Sequence, residues 1–122
     1  MHVVIVGCGR VGSALANFLS GSGHSVAIID KRATAFLRLD AGFTGRALTG
    51  FGFDRDQLNE AGITDADAVA AVTSGDNSNI MVARIARETY GVERVVARIY
   101  DPGRAAIYQR LGIPTVATVS WT

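Results

Sequence analysis

The chain has 122 residues, the size of a single domain, and its formal net charge of +1 at pH 7 gives no reason to expect a nucleic-acid or anionic-membrane partner. Its hydrophobic content of 48% is typical of a globular protein, and no apolar run reaches the ~18 residues of a membrane span. The single cysteine, Cys8, excludes an internal disulfide and fits a reducing cytosol. We therefore expect one cytosolic domain that binds no nucleic acid and does not insert directly into a membrane.

The chain opens with a strand, a glycine-rich turn and a helix. The apolar residues 2–6 have the length of a buried strand, and Gly7, Gly9 and Gly12 follow with the spacing G-x-G-x-x-G. A helix is predicted over residues 10–20. Its apolar residues recur at offsets of 3, 4, 7 and 8: Val11, Ala14, Leu15, Phe18 and Leu19. In this context the glycine spacing is typical of a dinucleotide-binding loop.

The residues of this loop suit the close approach of a pyrophosphate. Gly7 permits a tight turn, Gly9 has no side chain to hold a phosphate away, and Gly12 lets the helix lie close to the sheet. The helix N-terminus offers unpaired N–H groups and a partial positive charge. Cys8 fits because it is small. Arg10 can reach a phosphate, lie along the surface or pair with a partner subunit.

A second strand over residues 25–29 ends at an acidic residue. Asp30 follows Gly12 by 18 residues, close to the spacing of about 20 expected for the acid that binds the ribose hydroxyls. Its alternative role is to cap the next helix. Lys31 and Arg32 come next, and we interpret them as solvated. Because Asp30 would repel a 2′-phosphate, the pattern favours adenosine with a free 2′-hydroxyl.

The middle of the chain contains short elements. A short helix is predicted over residues 32–40 and a third strand over residues 46–49, followed by a glycine-rich loop over residues 50–53. Three residues of the short helix are available for burial: Phe36, Leu37 and Leu39. Asp54 as N-cap and Gln57 at N3 resemble a capping box, which predicts another short helix.

The second half continues the alternation of strands and helices. Strands are predicted over residues 68–72, 95–99 and 115–119, and helices over residues 76–90 and 101–111. Their predicted apolar faces are Met81, Val82, Ile85 and Ala86 in one helix and Ile107, Tyr108 and Leu111 in the other. The whole pattern predicts an α/β Rossmann-like fold, a doubly wound parallel sheet of about six strands in the order 3-2-1-4-5-6.

Ligands of such sheets bind at the carboxyl ends of the strands, between the first and fourth. We therefore expect one rim to contain residues 7–12, Asp30, Lys31, Gly50, Phe51, Thr73, Ser74, Asn79 and Arg98. Thr73 and Ser74 can face a nucleotide, start the next helix, or do both. Asn79 can hydrogen-bond across the site, and Arg98 can pair with a phosphate or with Asp101. No catalytic nucleophile–base pair and no metal-ligand constellation is evident in the sequence.

The sequence resembles the N-terminal nucleotide-binding domain of Trk/Ktr potassium-uptake regulatory subunits, also called the RCK, KTN or TrkA-N domain. The resemblance is carried by residues 4–12, 28–31, 58–63, 66–68, 72–80, 96–98 and 111–114. The spacing T-x-x-D-x-x-N at Thr73, Asp76 and Asn79 is more specific than the glycines alone. The Arg- and Ala-rich composition resembles that of actinobacterial members.

The resemblance implies a cytosolic regulatory protein, not an enzyme, located at the inner face of the membrane through its partner. Such subunits bind NAD(H) or ATP/ADP, assemble as dimers and rings, and gate a separate membrane potassium transporter. By the same resemblance, residues 7–11 would bind the pyrophosphate and Asp30 the ribose. Thr73, Ser74 and Arg98 would face the rest of the nucleotide.

The sequence departs from the family pattern in two respects. Many members carry an acid after the glycine that follows the third strand, near the adenine; here Phe51 follows Gly50, and the next acid is Asp54. Phe51 can stack on the adenine or merely pack against the protein. Relatives usually continue into a small C-terminal ligand-binding domain, so residues 1–122 are expected to be the first domain of a longer protein, or else a shortened protein.

Two other functions remain open from the sequence. The first is a truncated NAD-dependent oxidoreductase, since the fold alone does not separate a cofactor domain from a sensor. The second is an assembly domain with a vestigial glycine loop. We favour the nucleotide-sensing regulatory subunit because a hydride-transfer enzyme needs a substrate pocket and an acid–base residue, and neither is evident beyond the rim.

Overall fold

The computed structural model describes residues 1–117 and contains a parallel sheet of six strands. The strands are β1 (His2–Val6), β2 (Ser25–Asp30), β3 (Arg46–Thr49), β4 (Ala68–Ala71), β5 (Arg94–Ile99) and β6 (Thr115–Ala117). Their order is β3-β2-β1-β4-β5-β6, and every neighbouring pair is parallel. The predicted Rossmann-like order is therefore confirmed. The last two residues of the predicted strand 115–119 lie outside the described residues.

Four α-helices connect the strands: α1 (Arg10–Gly21), α2 (Arg55–Glu60), α3 (Asp76–Arg84) and α4 (Pro102–Arg110). A π-helical turn, Ile85–Thr89, continues α3, and two 3-10 helices span Ala33–Arg38 and Ile63–Asp65. The helix predicted over residues 32–40 is thus shorter and more tightly wound than expected. In the part of the chain that is described, no helix combines the length and apolar character needed to cross a membrane.

The core lies on both faces of the sheet, as a doubly wound fold requires. Successive residues of β1 point to opposite faces. Val4 and Val6 belong to the larger cluster, which contains the buried residues of α3, while Val3 and Ile5 belong to the smaller one, beside α1. This burial on both sides explains why the central strands read as continuous apolar runs rather than as alternating ones.

The apolar face predicted for helix α1 is only partly correct. Val11 and Phe18 are 41% and 69% exposed, whereas Gly12 and Ala16 are buried. The cause is the contact at Gly12, where a Cβ atom would lie 1.7 Å from the carbonyl oxygen of Gly7. Gly12 and Ala16 therefore occupy the line of closest approach. Leu15 and Leu19 pack partly buried against the smaller core cluster, as predicted, whereas Ala14 is exposed like Val11 and Phe18.

The apolar faces predicted for the other helices also need correction. Leu37, Met81, Ile107 and Leu111 are exposed, with exposed fractions from 49% for Met81 to 86% for Leu37. Of the face predicted for the helix over residues 76–90, Val82 and Ala86 are buried and Ile85 packs against the larger cluster, as predicted. Asn79, Ile80 and Ala83 are buried as well. The buried polar contacts of Asn79 with the ends of β4 and β5 fix the rotation of this helix, a constraint that an apolar count does not contain.

The capping box predicted for α2 is only half formed. The Asp54 side chain caps the helix and accepts a hydrogen bond from the Asp56 N–H at 2.9 Å. Gln57 does not return the bond, because its side chain packs under Gly50, where a Cβ atom would lie 2.6 Å from Gln57 Cδ. By contrast, Asp101 and Pro102 begin α4 as predicted, with the Asp101 side chain accepting from the Gly103 N–H.

Candidate functional site

A cleft of about 810 Å³ runs along the carboxyl edge of the sheet. The ends of β1 to β5 and the loops that follow them form it, which places it at the predicted rim. Twelve of the fourteen predicted site residues line it: Gly7, Cys8, Gly9, Arg10, Val11, Asp30, Lys31, Gly50, Phe51, Thr73, Ser74 and Arg98. The volume lies within the ~300–1,000 Å³ typical of small-molecule sites.

Gly7 and Gly12 give the loop its shape. Gly7 has a φ of +108°, a left-handed conformation that side chains rarely adopt, and a Cβ atom there would lie 2.8 Å from the Thr73 backbone nitrogen. Gly12 does not line the cleft; it packs α1 against the Gly7 carbonyl, the helix–sheet role predicted for it. At Gly9, no heavy atom of residues 1–117 apart from Gly9 and its two chain neighbours lies within 4 Å of a Cβ position, so this residue faces open space.

Asp30 is fixed by two backbone hydrogen bonds. Its Oδ2 accepts from the Cys8 N–H and its Oδ1 from the Arg32 N–H, both at 2.8 Å. The following 3-10 helix has Arg32 at its N-cap and no side-chain cap, so Asp30 does not act as a helix cap. The carboxylate joins the glycine loop to the end of β2, and its remaining lone pairs can accept hydrogen bonds from hydroxyl groups.

Cys8 is a packing residue. Its side chain is 1% exposed, and its Sγ–H donates to the Ala35 carbonyl at 3.4 Å. Burial, followed by the nearby Asp30 carboxylate, raises the pKa of the Cys8 thiol, while Arg38 acts in the opposite direction. The thiol therefore stays neutral at physiological pH, and nucleophilic chemistry by Cys8 is disfavoured.

The charges of the cleft favour an anionic ligand. Five cationic side chains line it: Arg10, Lys31, Arg32, Arg38 and Arg98. Within residues 1–117, Asp30 is the one acid in its lining. The Arg98 guanidinium lies 4.6 Å from the centre of the Tyr100 ring, a cation–π contact at the β5 end of the cleft.

Two aromatic rings form the β3 end of the cleft. Phe51 and Phe53 are 53% and 43% exposed, and their ring centroids lie 5.2 Å apart with an interplanar angle of 26°. Gly52 between them presses against β1, since a Cβ atom there would lie 2.1 Å from Val6 Cγ1. Phe51 therefore contacts Phe53 and still presents an exposed aromatic surface to the cleft.

Thr73 lines the cleft as predicted, whereas Asn79 lies behind it. The Asn79 side chain is completely buried and does not line the cleft, so the expected direct contact of Asn79 with a ligand is not supported. The Thr73 N–H and hydroxyl donate to Asn79 Oδ1 at 2.8 and 2.6 Å, and the Thr73 carbonyl accepts from Asn79 Nδ2 at 3.0 Å. Thr73 lines the cleft with its polar groups engaged, whereas Ser74 is exposed there.

The sequence did not identify Arg38, Phe53 and Tyr100 as lining residues. Tyr100 follows the end of β5 directly, a position that could have been included by the same rule that selected Arg98. Phe53 repeats the glycine–aromatic pattern of Gly50 and Phe51. No sequence pattern near Arg38 indicates that it lines the cleft, because its position depends on how the 3-10 helix folds over the glycine loop.

The described residues contain no group of three or more His, Cys, Asp or Glu side chains arranged to hold a metal ion. The chemistry available in the cleft is instead that of open backbone at Gly9, one carboxylate, hydroxyl groups and cations. This combination can bind phosphate groups and a sugar, and the exposed phenyl rings can contact a planar group.

The family model of the TrkA-N domain matches residues 3–119, which is almost the whole chain. The chain belongs to the TrkA-N domain family. It is 67% identical over 122 residues to the Trk system potassium uptake protein TrkA of Streptomyces coelicolor, covering 100% of this chain and 55% of that protein. The resemblance to an actinobacterial TrkA-N domain is thus confirmed.

Other relatives agree with this assignment. The TrkA homologue of Methanothermobacter thermautotrophicus is 34% identical over 116 residues, covering 95% of this chain and 53% of that protein. The chain therefore spans about half the length of these curated relatives. A solved structure described as the Kef C-terminal domain of Shewanella denitrificans in its AMP-bound form has a TM-score of 0.83 at 25% identity, covering 97% of this chain and 72% of that one.

Proposed function

We propose that the chain is the nucleotide-sensing domain of a regulatory subunit of a Trk-type potassium uptake system. The observation that carries this proposal is the glycine loop, whose open backbone at Gly9 borders a cleft with five cationic side chains and one fixed carboxylate. Membership of the TrkA-N family and the 67% identity to a potassium uptake protein support the transport role. The AMP-bound form of a structural relative supports an adenine nucleotide as the ligand.

In this proposal the ligand is NAD(H) or ATP/ADP with a free ribose 2′-hydroxyl. The pyrophosphate binds along residues 7–11, with Arg10 as a phosphate contact, and Asp30 accepts hydrogen bonds from the adenosine ribose. Lys31, Gly50 and Phe51 border the adenosine. Thr73, Ser74 and Arg98 border the remainder of the nucleotide. Gly12 acts through the packing of α1 and Asn79 through Thr73.

The proposed partners follow from family membership. The subunit forms a homo-oligomer, a dimer or a ring of higher order, and acts on a membrane potassium transporter subunit. It is located in the cytoplasm and reaches the inner face of the cell membrane through that transporter. A nucleotide regulates such an assembly only if it binds one conformation more tightly than another. Coupling of about 1–3 kcal/mol would bias the equilibrium by about 5- to 150-fold.

The alternative to a nucleotide sensor is an enzyme domain, the cofactor domain of a truncated NAD-dependent oxidoreductase. A hydride-transfer enzyme needs an acid–base group beside the reacting atoms. Two of the titratable groups along the described cleft support the sensor: Asp30 is held by two backbone N–H groups, and the Cys8 thiol is neutral and buried.

Calorimetric titration with NAD⁺, NADH, NADP⁺, ATP and ADP tests the proposal. We expect binding of at least one ligand that has a free 2′-hydroxyl, and weaker binding of NADP⁺. A failure to bind all five would favour an assembly domain with a vestigial loop. Oxidation of NADH with a panel of small carbonyl compounds would overturn the assignment as a non-enzyme.

A further inference from the structure

Asp76 and Asn79 are two residues of the T-x-x-D-x-x-N pattern that the proposed nucleotide contacts leave without a direct role. Neither lines the cleft. Both lie in the first turn and a half of α3, and both make hydrogen bonds to parts of the chain that do line it. Their contacts divide the cleft into two parts. We define the β2–β3 half by Asp30 and Phe51, and the β4–β5 half by Thr73, Arg98 and Tyr100.

Asn79 joins the ends of β4 and β5. Its Nδ2 donates to the Thr73 carbonyl at 3.0 Å and to the Arg98 carbonyl at 2.6 Å, while its Oδ1 accepts from the N–H and hydroxyl of Thr73. All the hydrogen-bonding capacity of the amide is therefore used inside the protein. Because the side chain is completely buried, these bonds are shielded from competing water.

Asp76 holds the segment that follows β5. Its Oδ1 accepts from the Tyr100 N–H at 2.7 Å and its Oδ2 from the Asp101 N–H at 3.0 Å. Asp101 in turn caps α4 through the Gly103 N–H at 2.9 Å. The start of α3 thus fixes both the end of β5 and the start of α4. Tyr100 carries the ring on which the Arg98 guanidinium lies.

The β2–β3 half is positioned by a separate set of bonds. Asp30 is held by the Cys8 and Arg32 N–H groups, and the loop of Phe51 packs against β1 through Gly52. None of these contacts involves α3. The outer limits of the two halves, β3 and β5, are separated by four strand spacings, roughly 19 Å at ~4.8 Å each, and the inner limits, β2 and β4, by two spacings, roughly 10 Å.

We propose that Asp76 and Asn79 are positioning residues for the β4–β5 half of the cleft. They set the positions of Thr73, Arg98 and Tyr100, and so determine the affinity for the part of a ligand that extends beyond adenosine and its first phosphate. The proposal rests on the nucleotide binding proposed above. Its consequence is a change in ligand selectivity, because AMP reaches only the β2–β3 half, whereas NAD⁺ extends into both.

The test is a titration of the wild-type chain and the Asp76→Asn variant with NAD⁺ and with AMP. The substitution keeps the volume of the side chain but replaces one acceptor by an amide group that faces a backbone N–H. We expect the Kd for NAD⁺ to rise at least about fivefold, the equivalent of one lost hydrogen bond, and the Kd for AMP to change less than about twofold. A purely structural role would weaken both ligands by the same factor.

Asp67→Asn is the matched control. Asp67 Oδ2 accepts from the His2 N–H at 2.8 Å, the same type of bond at the opposite edge of the sheet. Its loss should leave the ratio of the two Kd values unchanged. An unchanged ratio in Asp76→Asn as well would overturn the inference while the nucleotide site stands. If the wild type binds neither ligand, the proposed function fails and the inference fails with it.

Hydrogen exchange of the wild-type chain gives a test that needs no variant. The amides of Thr73, Tyr100 and Asp101 donate to the side chains of Asn79 and Asp76. A ligand that contacts the β4–β5 half should stabilise these hydrogen bonds and so slow the exchange of the three amides. We expect NAD⁺ to slow exchange at these amides at least about threefold more than AMP does at equal saturation. Equal protection by the two ligands would overturn the inference.

Discussion

The two halves of the cleft use polar groups in opposite ways. In the β2–β3 half, Asp30 and the exposed Phe51 ring present chemistry directly to the cleft. In the β4–β5 half, the polar groups of Thr73 are bonded to Asn79, and Asp76 lies behind the surface. Side chains line both halves, but in the β4–β5 half the chain segments that carry Thr73, Arg98 and Tyr100 are held from behind by Asp76 and Asn79.

Mutations in the two halves of the cleft should therefore have different effects. Changes in the β2–β3 half should remove ligand contacts and leave the fold largely intact. Changes at Asp76 and Asn79, behind the β4–β5 half, should act on the scaffold and affect ligands according to their length. The glycine loop lies between the halves and should show both kinds of effect at neighbouring positions.

The largest effect is expected for Gly12→Ala. The added Cβ would lie 1.7 Å from the Gly7 carbonyl oxygen, so α1 must move away from the sheet. We expect the free energy of unfolding to fall by about 3 kcal/mol, as measured by urea denaturation. Gly9→Ala is the matched control, because its Cβ would enter open space.

Gly9→Ala should change stability by less than about 1 kcal/mol, because the cost of alanine at the N-cap of α1 is offset by the lower conformational entropy of the unfolded chain. It should nevertheless weaken nucleotide binding at least about tenfold, because the methyl group holds the phosphates away from the backbone. Wild-type affinity in this variant would show that the pyrophosphate does not approach the loop there.

Asp30→Asn should weaken the binding of NAD⁺ and AMP by a similar factor, about 30-fold. The variant loses a charged acceptor for the ribose and turns an amide group towards the Cys8 or Arg32 N–H, a loss of about 2 kcal/mol. Asp40→Asn makes the same change of charge at an exposed residue outside the cleft. A loss confined to NAD⁺ would contradict the assignment of Asp30 to the half that both ligands share.

Phe51→Ala should weaken the binding of AMP and NAD⁺ about tenfold, because stacking of an aromatic side chain on a base contributes about 1–3 kcal/mol. Ribose 5-phosphate, which has no base, should bind equally well to the variant and the wild type. Phe18→Ala serves as the control, since Phe18 is exposed on α1 and does not line the cleft. Unchanged AMP affinity would show that Phe51 merely packs against Phe53.

The smallest effect concerns Cys8 and pH. Because its pKa is raised in the folded chain, the unfolded chain loses the thiol proton first as pH increases. The stability from the neutral thiol is therefore fully present below the ordinary pKa of about 8.5 and is lost at higher pH. The difference in unfolding free energy between wild type and Cys8→Ala should be smaller at pH 10 than at pH 7.5. An increase would contradict the direction of the shift.

Much of the fold could be predicted from the sequence because its signals are local. The run of residues 2–6, the glycine spacing and the position of Asp30 defined the first βαβ unit, and the alternation of strands and helices defined the strand order. The exposure of Val11, Phe18 and Met81 could not be predicted from apolar spacing. It depends on close contacts between segments distant in sequence, at Gly12 and at Asn79.

In the candidate site, too, the features that depend on local sequence could be predicted and those that depend on distant contacts could not. Residues at the end of a strand or within three residues of it, such as Asp30, Phe51 and Ser74, could be placed on the rim because parallel strands end at one edge. The distinction between a residue that faces the cleft and one that lies behind it could not be made. Thr73 and Asn79 are both polar and near a strand end, and their mutual hydrogen bonds decide their roles.

The most direct test of nucleotide binding at this cleft is an NMR titration of the ¹⁵N-labelled chain with NAD⁺. Amide signals should shift at Gly9 and Arg10 in the glycine loop, at Arg32 beside Asp30, and at Ser74 beyond β4. Signals of His2 and Asp67, at the opposite edge of the sheet, should stay unchanged. Shifts confined to that opposite edge, or no shifts at millimolar NAD⁺, ATP and AMP, would contradict a nucleotide site at the carboxyl edge.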